Sequence, residues 1–153
     1  MEEVSLLLPH RPPMVLIDGV ESFDVEAKRV VVAVKITSAN PFFSEDGVPA
    51  WVSIEFMAQA AAALVGLRDR RDAPERAPRP GLLLGTRRMD LGLERFLADA
   101  SYHISAECVF EDTDAASFQC EIRDDAGVVV ASATLNAYRP PDMAAFLKEQ
   151  ASA

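Results

Sequence analysis

The sequence predicts an α+β protein in which an antiparallel sheet wraps around one buried helix, and three observations predict it. The stretch from about Ala50 to Leu67 is apolar on nearly every side, and a helix without a polar face must be buried on most sides. Segments before and after it alternate apolar and polar residues with a period of two, the pattern of half-buried strands. The chain has 153 residues, 50% of them apolar and 25% charged, so it can bury a core as one domain without disulfide or metal staples. In so small a chain, a sheet has to supply the wall around the helix.

The elements follow in order. Glu2 to Leu8 reads as a short segment with one helical turn. His10-Arg11-Pro12-Pro13 forces an extended entry, because proline fixes φ and restricts the residue before it. Met14–Phe23 is predicted as the first strand. In the second, Val30, Val32, Val34 and Ile36 alternate with Arg29, Val31, Ala33 and Lys35, and the two pair as a hairpin around residues 24–28. Residues 40–47 are a loop, and Pro49 falls near the first helical position, where its missing N–H costs little. The helix is expected over about 50–67 and a charged, proline-containing linker over about 68–80. Gly81–Met89 is a further strand. Tyr102, Ile104, Ala106, Cys108 and Phe110 mark another, and Phe118, Cys120 and Ile122 the next. Asp124-Asp125-Ala126-Gly127 turns the chain into the returning strand Val128–Tyr138. Pro140-Pro141 stops the sheet, and Met143–Gln150 is a candidate terminal helix. Strand, strand, buried helix and about four more strands is the arrangement called the hotdog fold, here expected over residues 1–153 as a single domain.

Composition and motifs exclude several functions. Fifteen Lys and Arg against 24 Asp and Glu give a formal net charge of −9, which argues against a nucleic-acid binder. The longest apolar run, Ala58–Leu67, is short for a membrane span and is interrupted by Gln59 and Gly66. The Met-Glu-Glu start lacks the basic region of a signal peptide, so a cytoplasmic location is expected. Cys108 and Cys120 fall on strands and are expected to point inward as free thiols. The two histidines, His10 and His103, stand in no zinc-ligand spacing, and Gly81, Gly85 and Gly92 do not make a phosphate loop. No metal or cofactor is expected.

Glu55 is the anomaly, because it interrupts the first turns of the apolar helix between Ile54 and Phe56. A carboxylate there must be paired, hydrogen-bonded or neutral. Desolvation would suit it to acid–base work near neutral pH, and the helix N-terminus would oppose that shift. Capping backbone donors or pairing with an arginine is an equally open reading. Gln59, four residues on, shares the face of Glu55 and could orient it or a bound carbonyl. His10 by itself reads as a residue of a surface turn, and His103 as a solvated residue on a polar strand face. Ser44 and Ser53 have no histidine nearby in sequence to make either a nucleophile.

Two stretches carry a resemblance. Leu7-Leu8-Pro9-His10-Arg11-Pro12-Pro13-Met14-Val15-Leu16-Ile17-Asp18 resembles the opening motif of the bacterial 3-hydroxyacyl-(acyl carrier protein) dehydratases. Val52-Ser53-Ile54-Glu55-Phe56-Met57-Ala58-Gln59 resembles their central-helix motif, in which the glutamate is catalytic. The two stand in that family's order and at about its spacing. The resemblance implies a hotdog dimer with acyl tunnels at the subunit interface, removing water from a 3-hydroxyacyl thioester. In the family the base is a histidine in a Gly-His-Phe-Pro loop just before the helix. The matching stretch here, Asn40 to Ala50, contains none. That departure is similar to a divergent branch, the dehydratases of aryl-polyene and related polyketide-type pathways. His10 is then left to pair with Glu55 as acid and base, with a dimer interface as one place for them to meet.

Charge and partner readings complete the picture. Seven arginines against three acids between Arg68 and Arg88 give that segment +4 and leave −13 for the rest. A solvated face is one reading. Docking of an acidic acyl carrier protein is the other, with Arg87 and Arg88 as candidate contacts. The second subunit is expected to be an identical chain or another hotdog protein. Besides the dehydratase, two readings stay open: a non-catalytic or half-site subunit that completes an active partner, and an acyl thioesterase.

Overall fold

The computed structural model describes residues 4–75, 82–138, 148–149 and 151, without the side chains of 82–84. Its strands are β1 (Gly19–Asp24), β2 (Arg29–Lys35), β3 (Gly47–Pro49), β4 (Leu82–Leu91), β5 (Arg95–Leu97), β6 (Ser101–Glu111), β7 (Ala115–Asp124) and β8 (Val129–Tyr138). The helix α1 (Ser53–Asp72) follows a 3-10 turn at Ala50–Val52. Six strands form one antiparallel sheet in the order β1-β2-β6-β7-β8-β4, and β3 pairs with β5 as a separate ribbon.

Period-two alternation puts one apolar row of each strand against the helix. Val32, Ile104, Ile122 and Ala131 line up across the sheet by register, and all are buried. The next row is Val30, Ala106, Cys120 and Ala133. Over them lie Phe56, Met57, Ala60, Ala63, Leu64 and Leu67 of α1. Small side chains on both surfaces let the helix settle close to the sheet. The chain before β1 covers the helix from another side. Leu7 and Leu8 are buried, and the Leu7 carbonyl lies where a Cβ on Gly66 would be, so only glycine fits at that helical position.

The structure corrects several expectations. The first strand begins at Gly19 rather than Met14, because the backbone of Met14 and Leu16 bonds to a helix side chain instead of a neighbouring strand. The helix runs five residues past Leu67, to Asp72, so the first part of the expected linker is helical. Two ion pairs anchor those added turns, Arg68 to Glu111 and Arg71 to Glu26, and Arg70 and Arg71 suit the C-terminal end of the dipole. The β3–β5 ribbon was not expected, since three-residue strands are too short to show a period. Cys120 is buried as predicted. Cys108 is only half-buried, because the β6–β7 register slips between Cys108 and Phe110. Residues 76–80, Pro140-Pro141 and most of the candidate helix Met143–Gln150 lie outside the described residues, whereas Lys148 and Glu149 are helical.

By length and composition, Ala50–Asp72 could cross a membrane, with a mean hydropathy of 1.5 in its most apolar window. The apolar run is thus longer than Ala58–Leu67 alone suggests. Yet 67% of that window is buried inside the protein, as befits a core helix.

The close approach at Gly66 gives a test. Gly66→Ala forces the Leu7 carbonyl and the helix apart, with an expected loss of about 1–3 kcal/mol. A lower urea midpoint at unchanged m-value is the readout.

Candidate active site

The site grows from one buried amide. Gln59 is fully buried on α1, and a buried amide has to find partners. Its Oε1 accepts from the backbone N–H of Leu16 at 2.8 Å, and its Nε2 donates to the Met14 carbonyl at 2.6 Å and to Glu55 Oε1 at 3.1 Å. That network defines which way the amide points. Both amide hydrogens are committed, one to the Met14 carbonyl and one to Glu55.

The segment held by Gln59 brings in His10. Its Nε2 lies 3.4 Å from Glu55 Oε1, with the two side chains 26% and 31% exposed. The residues meet within one chain, so no dimer interface is needed to join them. The bond from His10 holds the Glu55 carboxyl below its ordinary value, against the burial that pushes it up, and the Gln59 bond adds to the lowering. Glu55 also sits in the first turn of α1, where the helix dipole favours a negative charge. It is ionised at neutral pH.

The other candidates sit elsewhere. His103 is no free surface residue. Its Nδ1 and Nε2 lie 2.7 Å from Glu21 and Asp125 carboxylate oxygens, and the partner of His103 on β2 is the small Ala33, which lets the ring reach toward β1. The Asp125 bond raises its pKa most, burial opposes the rise, and the Glu21 bond adds to it. Ser53 donates to the Ala50 carbonyl, and the backbone and hydroxyl of Ser44 accept from Arg95, so both serines are spent structurally. Burial pushes the Cys120 thiol up to about 12 and raises Cys108 as well. Arg87 and Arg88 fall where the β4–β8 register slips, and both are exposed, but Arg88 bonds Asp90 at 2.8 Å. The loop before α1 supplies aromatic residues instead of a histidine. Phe42 meets Trp51 edge-on at 5.5 Å, and Trp51 is 59% exposed. Nothing in the sequence signalled that pair.

A six-stranded antiparallel sheet around one long helix, with a carboxylate and a histidine meeting at its N-terminal end, defines a hotdog-fold protein. Residues 2–148 match the ApeP-like family, described as ApeP dehydratase, and the chain belongs to that family. It is similar to the dehydratase heterocomplex ApeI:P from Xenorhabdus doucetiae, with 28% identity, a TM-score of 0.86 and coverage of 97% of each chain. It is also 36% identical over 81 residues to the 3-hydroxyacyl-[acyl-carrier-protein] dehydratase FabZ of Chlamydia pneumoniae, covering 50% of this chain and 53% of that one. The chain thus spans about half the length of the curated relatives it matches. A hypothetical thioesterase with coenzyme A from Streptococcus pneumoniae shares the fold alone. It has 17% identity, a TM-score of 0.58 and coverage of 78% of this chain and 82% of that one.

Two outcomes follow from this geometry. Gln59→Met keeps the volume but leaves the Leu16 N–H and the Met14 carbonyl unpaired, for an expected loss of about 2 kcal/mol or more in urea denaturation. For His103, the folded pKa is raised, so its stabilisation is complete below the unfolded value and fades as pH rises through the folded one. His103→Gln should therefore destabilise the protein more at pH 6 than at pH 9.

Proposed function

We propose that this chain dehydrates a 3-hydroxyacyl thioester carried on an acyl carrier protein, giving the enoyl thioester and water. The observation that carries the reading is the contact between His10 Nε2 and Glu55 Oε1, in a chain of the ApeP-like dehydratase family. Elimination needs a group to take the C2 proton and a proton for the departing hydroxyl. Glu55 and His10 form the acid–base centre for that exchange, and Gln59 orients it. No resident cofactor or metal enters the reading.

The partner we propose is a second hotdog chain of different sequence, as in the ApeI:P heterocomplex. A single chain leaves His10 and Glu55 26% and 31% exposed, whereas an acyl thioester needs an enclosed wall around the reacting carbons. Exposed Arg87 and Arg88 on β4 suit the acidic carrier, with Arg88 sharing its charge with Asp90. Two free thiols fit the reducing cytoplasm.

The test incubates a 3-hydroxyacyl carrier thioester with the chain, alone and mixed with a hotdog partner, and identifies the product by mass spectrometry. An enoyl thioester is expected. Free acid with a released thiol would assign a thioesterase instead, and no turnover in either mixture would refute the reading. Arg87→Glu with Arg88→Glu should weaken carrier binding at low salt, with the difference shrinking as salt rises. Unchanged low-salt affinity would remove β4 as the docking site.

A further inference from the structure

We propose that His103 is a pH-operated clip: its protonated ring closes the edge strand β1 onto the sheet, and its neutral ring lets β1 fray. His103 stands on the face of the sheet turned away from α1, since its neighbours Tyr102 and Ile104 are buried. Its Nδ1 lies 2.7 Å from Glu21 Oε1 on β1, and its Nε2 lies 2.7 Å from Asp125 Oδ1 in the turn between β7 and β8. One ring thus bridges the edge strand on one side and a hairpin turn on the other.

Three local features build this arrangement. By register, the row across the sheet at His103 is Gly19, Ala33, His103 and Arg123. Gly19 and Ala33 are so small that the ring has room to span β2 toward β1. The β1–β2 register slips between Val20 and Ser22, which leaves Glu21 as the extra residue of a bulge, and a bulge re-aims the side chain it carries. On the other side, Arg123 donates to Glu121 at 2.6 Å and to the Gly127 carbonyl at 2.9 Å, which leaves Asp125 to the imidazole. The remaining charges of this face have their own contacts. Asp124 accepts from the Ala126 and Val128 N–H groups, Arg29 pairs with Glu107, and Asp18 accepts from the Lys35 backbone N–H. Lys35 itself stands diagonally across β2 from His103, where a like charge works against protonation of the ring.

The charge state of the ring decides how many of the two bonds exist. An imidazolium has two N–H donors, one for each carboxylate. A neutral ring has one, so its other nitrogen turns a lone pair toward a carboxylate oxygen and that contact repels. The carboxylates outweigh burial and keep the ring charged above its ordinary range, Asp125 contributing most. The clip is therefore complete at low pH and is lost as pH rises through the raised value. β1 depends on it because β1 is the edge of the sheet and pairs only with β2. Its bulge and its exposed residues Glu21–Asp24 give it little other hold. The chain before β1 is fastened separately through Gln59, so the opening is confined to the strand.

The test reads the full chain by amide hydrogen exchange and by imidazole NMR. After correction for the intrinsic pH dependence of exchange, the β1 amides should exchange about threefold or more faster at pH 9 than at pH 6, the scale of a surface ion pair. They should exchange faster than those of α1 and be insensitive to urea below the unfolding transition, the mark of local opening. His103→Gln, whose amide takes no charge, should show the faster β1 exchange at both pH values. The His103 ring, assigned by its loss in that variant, should titrate above about 6.5. Glu21→Gln and Asp125→Asn should each lower its midpoint. A midpoint at or below about 6.5 would overturn the proposal, as would β1 exchange that is unchanged with pH or changes equally in His103→Gln. Exchange of β1 that tracks α1 and rises with urea would also overturn it, because β1 would then open only with the whole protein.

Discussion

The buried amide of Gln59 is the interaction on which the rest of the site depends. An amide placed inside an apolar helix has to be satisfied in full, because an unpaired polar group there costs as much as several good packing contacts gain. Its partners are the Leu16 N–H, the Met14 carbonyl and Glu55. Those three bonds stop the first strand from starting early, fasten the chain that carries His10 across the helix, and aim the carboxylate. The opening segment and the central helix are far apart in sequence, and one side chain joins them.

The helix meets a partner of its charge chemistry at each end, and the two contacts differ in what they can do. Near the C-terminal end, Arg68 pairs with Glu111, whose carboxyl the arginine holds below its usual range. A guanidinium does not give up a proton at any pH where the protein is folded, so that pair is structural. Near the N-terminal end, Glu55 faces an imidazole and an amide. A carboxylate held by an amide and an imidazole is positioned and still able to accept and release a proton. The distinction between fastening and chemistry lies in the partner, not in the glutamate.

The stretch before the helix departs from the dehydratases with a loop histidine, and the structure shows what stands there. Phe42 and Trp51 form an edge-to-face pair, while the histidine that meets Glu55 is His10, from the opening motif. The histidine and the carboxylate are therefore still together, delivered by a different part of the chain.

How much was legible in the sequence follows from the range of the interactions involved. The helix, the paired strands and the anomaly of Glu55 could be read directly, because hydrophobic period and the cost of a carboxylate among apolar neighbours are local properties. Gln59 stood out for the same reason, and the two motifs pointed to the family. The strand start at Gly19, the five extra residues of α1, the β3–β5 ribbon and the carboxylate partners of His103 could not be read, since each depends on residues distant along the chain. The same holds for the contact between His10 and Glu55. Sequence alone determined that a carboxylate, an amide and a histidine were present in a fold able to bury them. Tertiary structure decided which atoms meet and which stay free, because hydrogen-bond partnership is a matter of ångströms across the fold rather than of spacing along the chain.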